Sequence, residues 1–427
     1  MRVLVIGSGA REHAVAARLA SERDVAELVC APGNPGMSAI ARTAPADMSR
    51  PETLARLADR EQIDLTVVGP ELPLSLGIVD RFAEEGRLIF GPTARAARLE
   101  SSKAFAKAFM VRHGVPTARF RTCETVDQAL ASVDSGEFGF PIVLKADGLA
   151  AGKGVVIAAD RGEAEPAIRA AMTERRFGQA GARLVVEECL AGPEVSFFVV
   201  SDGTRALPIG TAQDHKRIFD DDRGPNTGGM GAIAPSPLID ELLQARVMHG
   251  VVEPVVSGMA AEGHPFRGFL YVGLMLTDAG PKVIEFNVRL GDPEAQVILP
   301  RIAEPLLPLI VAAAAGQLRQ RTCRLSSDKL AGVVLASRGY PESPESGQPI
   351  SGIEEAERTP GVTVYHGGTA RLDGRLVTAG GRVLTVVGRG RDFAEAIARA
   401  YAGAGCISFN GMQYRRDIGR KALPSRS

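Results

Sequence analysis

The chain has 427 residues, of which 45% are hydrophobic and 23% are charged, a composition typical of a globular protein with several domains. Its 50 Lys and Arg residues match its 50 Asp and Glu residues, and this balance disfavours nucleic acid or an anionic membrane as a partner. The apolar run in residues 1–9 is too short for a signal peptide or a membrane span. Its five scattered cysteines form no C-x-x-C pair, which disfavours zinc sites and disulfides, and we expect a cytoplasmic protein.

Glycine is more frequent than in an average protein. The chain contains 48 glycines and no tryptophan. This glycine content is about 11%, against an average of about 7%. Because the sequence shows neither a G-x-y period nor an internal repeat, we expect part of the excess to lie where the backbone closely approaches a ligand.

Residues 1–100 alternate apolar segments with helical patterns. The sequence predicts buried strands at residues 2–6, 27–30, 65–68 and 88–90, and helices at residues 13–20, 51–59 and 75–84. Strands that alternate with helices form parallel βαβ units, so we expect an open, doubly wound sheet. Ligands of such sheets bind beyond the carboxyl ends of the strands, which are here residues 7–9, 31–36, 69–71 and 91–93.

The pattern changes after residue 100. A predicted helix at 103–112 precedes strands of antiparallel type at 142–146, 154–158, 184–188, 195–200 and 206–210, then a long helix at about 238–261 and strands at 269–276 and 282–287. Strands at 329–336, 362–366 and 384–387 and a helix at 393–402 predict a small C-terminal αβ domain. This last part shows no catalytic constellation, and we expect it to wall one side of a site.

The segment from Gly7 to Glu12 follows a strand and opens a helix. Backbone N–H groups at a helix start favour an anion, and Arg11 adds a planar fork that suits a phosphate monoester. A dinucleotide fingerprint places Gly where this chain has Glu12, which disfavours an NAD site. An ordinary tight turn with a surface arginine is the alternative.

A strand that carries a lysine is followed by a glycine-rich loop. Lys145 lies on the strand, and the loop contains Gly148, Gly152, Lys153 and Gly154. A triphosphate fits this arrangement, with Lys145 at the inner phosphates and the loop closing over the outer ones. The loop is not a Walker A sequence, because Gly154 follows Lys153 where Ser or Thr is required. A glycine hairpin with solvated lysines is the alternative.

Carboxylates flank the next strands. Glu187 and Glu188 end one strand and Glu194 begins the next, an arrangement that suits a nucleoside, although surface glutamates at strand ends are the more common explanation. Further along, the polar residues 213–217 lead into the glycine-rich residues 224–232, which we expect to be ordered by a ligand or by packing.

Glu285 and Asn287 end an apolar strand two residues apart, so their side chains leave the same face. A carboxylate and an amide oxygen suit a hard cation that also contacts phosphates, which is magnesium chemistry. Arg289 lies on that face too if the strand continues that far. An ordinary polar strand end is the alternative.

Taken together, these segments resemble the phosphoribosylamine–glycine ligase family of the ATP-grasp superfamily. The resemblance covers nearly the whole chain and rests on residues 5–13, 31–34, 145–154, 213–217, 224–232 and 285–294, in the order of the family. It implies an α/β and α+β multidomain fold. The implied domains are an N-terminal βαβ domain for the substrate phosphate (1–101), an ATP-grasp domain (102–318) with a mobile ATP lobe at about 118–190, and a small C-terminal αβ domain (325–427).

The resemblance also implies a reaction. ATP, glycine and 5-phosphoribosylamine would give glycinamide ribonucleotide, ADP and phosphate in purine biosynthesis, with glycyl phosphate as the intermediate. The implied cofactors are ATP and Mg²⁺, with Mn²⁺ as an alternative metal. The implied partners are the small-molecule substrates, with no nucleic acid and no membrane, and we expect a monomer.

Site residues follow from the same resemblance. The implied catalytic residues are Lys145, Asp214 and Arg289, and the implied metal ligands are Glu285 and Asn287. The implied ATP contacts are Lys103, Lys145, Gly148, Gly152, Lys153, Gly154, Glu187, Glu188 and Glu194. The implied substrate contacts are Gly9, Arg11, Glu12, Asn34, Asp214, Lys216, Gly229 and Arg289. Within this set we expect Asp214 to hold the ammonium of glycine, Arg289 its carboxylate, and Gly9, Arg11, Glu12 and Asn34 the ribose phosphate.

The chain departs from the family at two positions, Ile233 and Leu290, where we expect aromatic residues; these changes predict altered packing. Residues 271–276 contain no carboxylate, although many ATP-grasp enzymes place a metal ligand there. The ligase family is similar at this point, so the departure disfavours a carboxylase of the same superfamily. A non-catalytic nucleotide-binding protein would lack the pair Glu285 and Asn287.

Overall fold

The computed structural model describes residues 1–149, 154–320 and 322–423. Its N-terminal part is a five-stranded parallel sheet in the order β3-β2-β1-β4-β5. The strands are β1 (Arg2–Gly7), β2 (Glu27–Pro32), β3 (Arg42–Thr43), β4 (Leu65–Val68) and β5 (Ile89–Phe90). The helices are α1 (Ala10–Ala20), α2 (Pro51–Arg60), α3 (Glu71–Ser75) and α4 (Ile78–Glu84).

This sheet confirms the predicted doubly wound arrangement. Val3, Leu4, Val5 and Ile6 of β1 are fully buried, because packed elements cover both faces of the central strand. The predicted helix at 75–84 is wrong in its start, since α3 and α4 are separated at Gly77, whose φ of 84° lies in the left-handed region. The carboxyl ends of β1, β2 and β4 meet at one edge of the sheet.

The next part contains four helices and a small antiparallel sheet, whose strands lie in the order β6-β9-β7-β8. The helices are α5 (Arg98–Ser101), α6 (Lys103–Arg112), α7 (Val126–Asp134) and α8 (Arg161–Met172). The strands are β6 (Phe120–Cys123), β7 (Ile142–Ala146), β8 (Val155–Ala158) and β9 (Leu184–Glu188). Leu144, Ile168 and Val186 belong to a core of their own between this sheet and its helices, so the part forms a separate lobe.

The largest sheet has eight strands in the order β16-β15-β10-β11-β14-β17-β21-β18. Its strands from the central part are β10 (Glu194–Asp202), β11 (Ala206–Asp214), β14 (Gly231–Ala234), β15 (Arg267–Thr277) and β16 (Gly280–Asn287). Between β11 and β14 lies the hairpin of β12 (Arg217–Phe219) and β13 (Arg223–Asn226). The helices here are α9 (Glu241–Val247), α10 (Glu253–Ala261), α11 (Ala295–Ile298) and α12 (Leu306–Ala314).

The helix predicted at 238–261 is not a single α-helix. It begins at Glu241 and is divided into α9 and α10 by a π-helical turn over Met248–Val252. The two helices pack through Val247, Val255, Val256 and Met259 into the same core as the N-terminal sheet.

The C-terminal part continues the large sheet. Its strands are β17 (Lys329–Ala336), β18 (Val362–His366), β19 (Thr369–Leu372), β20 (Arg375–Thr378) and β21 (Arg382–Gly390), and its helices are α13 (Ile353–Glu357) and α14 (Phe393–Cys406). The antiparallel pairing of β14 with β17, in which Ala232 lies opposite Gly332, joins these strands to the central part. Ala396, Ala400 and Ala404 give α14 a small buried face against the sheet.

The C-terminal part also contacts the N-terminal sheet. The backbone N–H of His366 in β18 donates to Nδ1 of His13 in α1 at 2.8 Å, and the side-chain amide of Asn34 donates to the carbonyl of His366 at 2.7 Å. The three parts therefore meet around the carboxyl edge of the N-terminal sheet. Among the described helices, none has the length and apolar character that would let it cross a membrane.

Candidate active site

The turn after β1 holds a charged pair. The N–H of Gly9 donates to Glu12 Oε2 at 2.7 Å, and Arg11 Nε donates to Glu12 Oε1 at 2.5 Å. Arg11 also donates to the carbonyl of Leu290 at 3.2 Å and lies 3.8 Å from Glu71. Both predicted substrate residues lie in the site, but their charged groups bind each other and the segment after β16.

Asn34 fastens three segments together. Its amide nitrogen donates to the carbonyls of Ser8 at 2.8 Å and of His366 at 2.7 Å, and its oxygen accepts from the N–H of Met37 at 2.9 Å. Because both donors of the Asn34 amide and its oxygen already bind backbone groups, the side chain holds these three segments in place around the site.

Two lysines share one carboxylate between the small lobe and the large sheet. Lys145 lies 3.1 Å from Glu187 Oε2 and donates to the carbonyl of Ile284 at 3.0 Å. Lys107, which the sequence analysis does not select, lies 2.9 Å from the same oxygen and donates to Thr117 Oγ1 at 2.8 Å. Burial lowers the pKa of Lys107 to about 8. The spacing of four residues between Lys103 and Lys107 on one helix is the signal that could have found it.

Glu187 is arranged to receive a further donor. Its Oε2 accepts from both lysines, whereas its Oε1 is buried and has no hydrogen-bond partner among the described residues. Leaving a buried carboxylate oxygen unpaired costs free energy, so a ligand with an N–H or O–H group is favoured at this point.

The remaining predicted ATP contacts lie around this cluster. Lys103 donates to the carbonyl of Gly148 at 2.9 Å, and the carbonyl of Gly154 accepts from the N–H of Ala146 at 2.8 Å. Glu188 is turned outward, with Arg119 Nε at 2.8 Å and Lys282 Nζ at 3.3 Å. Gly152 and Lys153 lie outside the described residues.

The predicted metal ligands leave the end of β16 toward the lysines. Burial opposes ionisation of Glu285, but Lys216, Lys145 and Lys103 together hold its pKa below the usual value. Asn287 satisfies its hydrogen bonds when its amide is oriented so that the nitrogen donates to Glu100 Oε1 at 3.1 Å and to the carbonyl of Phe286 at 3.2 Å, an orientation that leaves the amide oxygen for a cation. Among the described residues no group of three or more His, Cys, Asp or Glu side chains could hold a metal ion. A carboxylate and an amide oxygen are oxygen ligands of the kind that a hard cation takes together with phosphate oxygens.

Arg289 is held by two carboxylates that the sequence analysis does not select. Its Nη2 donates to Glu100 at 2.7 Å and its Nε to Glu71 at 3.2 Å. Burial opposes ionisation of Glu71, but Arg289 and Arg11 lower its pKa to about 2. Glu71 directly follows β4 at the predicted ligand edge, and this position is the signal that could have found it.

The end of β11 carries Asp214 and Lys216. Lys216 Nζ lies 2.6 Å from Glu194 and 3.7 Å from Glu285, so a predicted ATP contact and a predicted metal ligand share one cation. Asp214 Oδ1 is buried and has no hydrogen-bond partner in the described part of the chain. Gly229 lies against this carboxylate, because a Cβ atom there would be 2.7 Å from Asp214 Oδ1.

The C-terminal part lines one side of the candidate site and places a charged side chain there. Arg382, at the start of β21, donates to the carbonyls of Gly228 and Asp292 at 2.5 Å each and lies 3.3 Å from Asp292 Oδ2. It borders a cavity of ≈ 160 Å³. The cavity is lined by Gly9, Ala10, Asp292, Gly367, Gly368, Arg382, Leu384 and Thr385.

A small lobe that places Lys145 against strand β16, whose end carries the carboxylate–amide pair Glu285 and Asn287, is typical of an ATP-grasp ligase. The family models for phosphoribosylglycinamide synthetase match this chain in three places: the N domain at residues 1–100, the ATP-grasp (A) domain at residues 101–295 and the C domain at residues 330–421. The chain therefore belongs to the phosphoribosylglycinamide synthetase family, as its resemblance predicts.

Curated relatives match this chain over nearly its full length. The chain is 51% identical over 428 residues to the phosphoribosylamine–glycine ligase of Xylella fastidiosa (strain Temecula1), with 99% of this chain and 98% of that protein covered. It is 48% identical over 424 residues to the enzyme of that name from Neisseria meningitidis serogroup A, with 99% and 100% covered. The crystal structure of phosphoribosylamine–glycine ligase from Thermotoga maritima superposes with a TM-score of 0.83 at 35% identity and covers 98% of this chain and 100% of that one.

More distant structures share the fold. The biotin carboxylase domain of the Hydrogenobacter thermophilus 2-oxoglutarate carboxylase, crystallised with MgADP and bicarbonate, has a TM-score of 0.74 at 19% identity, covering 97% of this chain and 91% of that one.

Proposed function

We propose that this protein ligates glycine to 5-phosphoribosylamine with ATP, giving glycinamide ribonucleotide, ADP and phosphate in purine biosynthesis. The observation that carries the proposal is the convergence of three recognition regions on one edge, in a chain that belongs to the phosphoribosylglycinamide synthetase family throughout its length. The regions are the lysine cluster around Glu187, the half-buried Asp214 with its unpartnered Oδ1, and the cavity beside Gly9 and Arg382, all among the described residues.

The chemistry requires activation of a carboxylate. An oxygen of the glycine carboxylate attacks the γ-phosphorus of ATP, the bond to the β,γ-bridging oxygen breaks, and ADP leaves. The amine of phosphoribosylamine then attacks the carbonyl carbon of glycyl phosphate, loses a proton and expels phosphate. Residues that exclude water from the acyl phosphate prevent its hydrolysis.

ATP is assigned to the cleft between the small lobe and the large sheet. Lys103, Lys107 and Lys145 are assigned to its phosphates, with Gly148 and Gly154 beside them. The resemblance adds Gly152 and Lys153, which lie outside the described residues. Glu187 offers its unpaired oxygen, and Glu188 and Glu194 flank the nucleoside end. Glu285 and Asn287 would hold Mg²⁺ or Mn²⁺, which when bound supplies charge neutralisation to the phosphates.

The ribosyl phosphate is assigned to the cavity at the start of α1. Gly9 and Ala10 line this cavity at the helix start, where the helix dipole favours an anion, and the guanidinium of Arg382 lines it as well. Arg11, Glu12 and Asn34 support this turn through the contacts given above. Lys216 balances the carboxylates between the ATP and glycine positions.

Glycine is assigned to the space between the two ligands. Asp214, beside Gly229, is assigned to its ammonium, and Arg289, two residues after Asn287, is assigned to its carboxylate. We further propose the division into residues 1–101, 102–318 and 325–427, a lobe at about 118–190 that closes over ATP, a monomeric state and a cytoplasmic location.

An omission assay tests the proposed reaction. ADP release should require both glycine and phosphoribosylamine, and glycine labelled with ¹⁸O in its carboxylate should pass one label into the released phosphate. Unlabelled phosphate would exclude glycyl phosphate. ATP turnover that needs bicarbonate in place of glycine would show a carboxylase instead.

A further inference from the structure

The chain between β11 and β14 forms a loop that carries residues assigned to the substrates. This substrate loop (residues 214–231) begins with Asp214 and Lys216, continues through the β12–β13 hairpin and returns through Gly229. Among the described strands, β12 and β13 pair only with each other, as a two-stranded sheet of their own. The large sheet therefore does not hold the hairpin, and contacts with other parts of the chain have to fix its position.

A buried arginine near the C-terminus binds the tip of the substrate loop. Arg415 belongs to the C-terminal segment (residues 415–421), and only 1% of its surface is exposed. Its Nη1 donates to the carbonyl of Arg217 at 3.1 Å and to Asp222 Oδ1 at 2.8 Å. Its Nε and Nη2 donate to the two carboxylate oxygens of Asp417 at 2.8 Å and 2.7 Å. One guanidinium thus ties strand β12 and the turn that follows it to the C-terminal segment.

The turn at the tip of the hairpin has a backbone conformation that needs support from its surroundings. Asp221 and Asp222 have φ angles of 57° and 53°, in the left-handed region that residues with side chains rarely adopt. Such a conformation persists only where surrounding contacts determine it. The N–H of Asp221 donates to Asp417 Oδ2 at 2.9 Å, and the N–H of Arg416 donates to Asp220 Oδ1 at 2.7 Å. The C-terminal segment therefore supplies the contacts that keep this turn in one conformation.

A tyrosine of the C-terminal part holds the returning side of the substrate loop. The N–H of Gly228 donates to Tyr340 Oη at 2.9 Å. The ring of Tyr340 packs against Gly381, where any Cβ atom would overlap the ring. Tyr340 also packs against an apolar cluster that contains Ile218 and Met230 of the loop. The C-terminal part thus contacts the loop both at its tip and just before the strand that returns to the large sheet.

We propose that Arg415 is a positioning residue for glycine binding, because it holds the substrate loop in the conformation that presents Asp214 and Gly229 to the substrate. This inference rests on the proposed function. Among the described residues, the side-chain hydrogen bonds of Arg415 go to the loop and to Asp417, so its effect on the substrate passes through the loop. When only a fraction of the molecules hold such a loop in place, the apparent affinity falls by that fraction. Tyr340 supports the same loop from its returning side.

The first test compares steady-state constants of arginine variants in the full-length enzyme with ATP, glycine and phosphoribosylamine. Arg415→Gln should raise the KM for glycine roughly tenfold, because it removes hydrogen bonds between charged groups, and leave kcat and the KM for ATP within about twofold. Arg415→Lys keeps the charge but not the planar fork that binds Asp417, so its KM should lie between those of Arg415→Gln and wild type. Arg416→Gln, at the exposed neighbour that contacts Asp220 through its backbone, is the matched control and should change none of these constants.

A second variant tests the same loop without unpairing a buried charge. Tyr340→Phe removes one hydroxyl group and keeps the ring, and it should raise the KM for glycine about 2- to 10-fold. Hydrogen exchange of the enzyme without substrates follows the loop directly. In Arg415→Gln the amides of residues 217–227 should exchange at least about tenfold faster than in wild type, whereas those of β15 should not change.

The outcomes separate this inference from the proposed function. If the wild-type enzyme turns over all three substrates but Arg415→Gln and Tyr340→Phe leave the KM for glycine unchanged, or raise the KM for ATP equally, the positioning role is wrong. A loss of global stability in Arg415→Gln without a rise in the KM for glycine would also overturn it. If Arg415→Gln does not fold, Tyr340→Phe decides by the same criterion. A wild-type enzyme without glycine-dependent ADP release would overturn the proposed function and this inference with it.

Discussion

Charged side chains in the site are paired across parts of the chain that lie far apart in sequence. Arg289 binds Glu71 and Glu100, and Lys107 and Lys145 share Glu187. Burying an ion costs several kcal/mol, and removal of one partner leaves the other uncompensated. These ion pairs therefore hold the candidate active site in one geometry before any substrate binds. A ligand has to fit charges whose positions are already fixed.

Glu285 is expected to be essential for turnover. Glu285→Ala removes the carboxylate of the metal pair and should lower kcat/KM by at least about 100-fold, while the Kd for ATP rises less than about tenfold because the lysines remain. Steady-state kinetics and nucleotide titration measure the two effects. Glu253→Ala, on an exposed helix face, is the control. Equal losses in turnover and ATP affinity would contradict the assignment.

Arg382 is expected to act on the phosphorylated substrate alone. Arg382→Gln should raise the KM for phosphoribosylamine roughly 10- to 100-fold, since a charged hydrogen bond to a phosphate contributes about 1.5–3 kcal/mol. The KM values for ATP and glycine should stay within about twofold. The exposed Arg371, changed to Gln, serves as the matched arginine control. A rise confined to the KM for ATP would show that Arg382 does not bind the phosphate of phosphoribosylamine.

At the scale of elements, helix α1 connects the N-terminal sheet to the C-terminal part. Its start forms one wall of the phosphate cavity, and His13 on its buried side accepts the N–H of His366 in β18 through Nδ1. Burial lowers the pKa of His13 to about 3 and that of His366 to about 4, from an ordinary value of 6.5. Protonation of Nδ1 would remove the acceptor, so the contact exists only with neutral His13.

Acid should weaken this contact. Because the folded pKa of His13 is lowered, the unfolded chain binds more protons between pH 6.5 and about 3, and the stability is complete above pH 6.5 and lost as the pH falls. From pH 6.5 to 5 we expect His13 to reduce the free energy of unfolding by about 2 kcal/mol.

Urea denaturation of wild-type protein and of His13→Gln at both pH values measures this difference. Gln accepts the same hydrogen bond without titrating, so the variant should lose less stability in acid. His249→Gln, a change at an exposed histidine, should retain the wild-type pH dependence. Identical pH dependences for His13→Gln and wild type would contradict the prediction.

At the scale of the whole molecule, the eight-stranded sheet joins the central and C-terminal parts. The pairs β11–β14, β14–β17 and β17–β21 form an unbroken ladder, whereas the small lobe has its own sheet and core. A continuous ladder unfolds as one unit, and a lobe with a separate core opens by itself.

Native-state hydrogen exchange tests this organisation. Amides of β10, β14 and β17 should open with the same free energy within about 1 kcal/mol, and amides of β7 and β9 should open with a lower one. ATP should raise the opening free energy of the lobe. If β17 and β21 opened well before β10, the C-terminal part would be an independent unit.

Local patterns in the sequence predict the elements and much of the candidate site. The alternation of apolar runs with helical patterns predicts the parallel N-terminal sheet, and the period of two places Glu285 and Asn287 on one face of β16. The turns at Gly9 and Gly229 can be located from the sequence, because a backbone that closely approaches another group has no room for a Cβ atom and requires glycine. The six segments of the family, in their order, determine the family.

Pairings between distant segments were decided by the tertiary structure. Glu71, Glu100, Lys107 and Arg382 reach the site through sheet pairing and helix packing, and no spacing along the chain encodes which charges meet. The same reason explains why β17 extends the large sheet and why Arg11 contacts Leu290. The type of a residue and the local period of the pattern are properties of the sequence. Burial and the partner of a charged side chain depend on the whole fold, and these two determine the pKa and the role of that side chain.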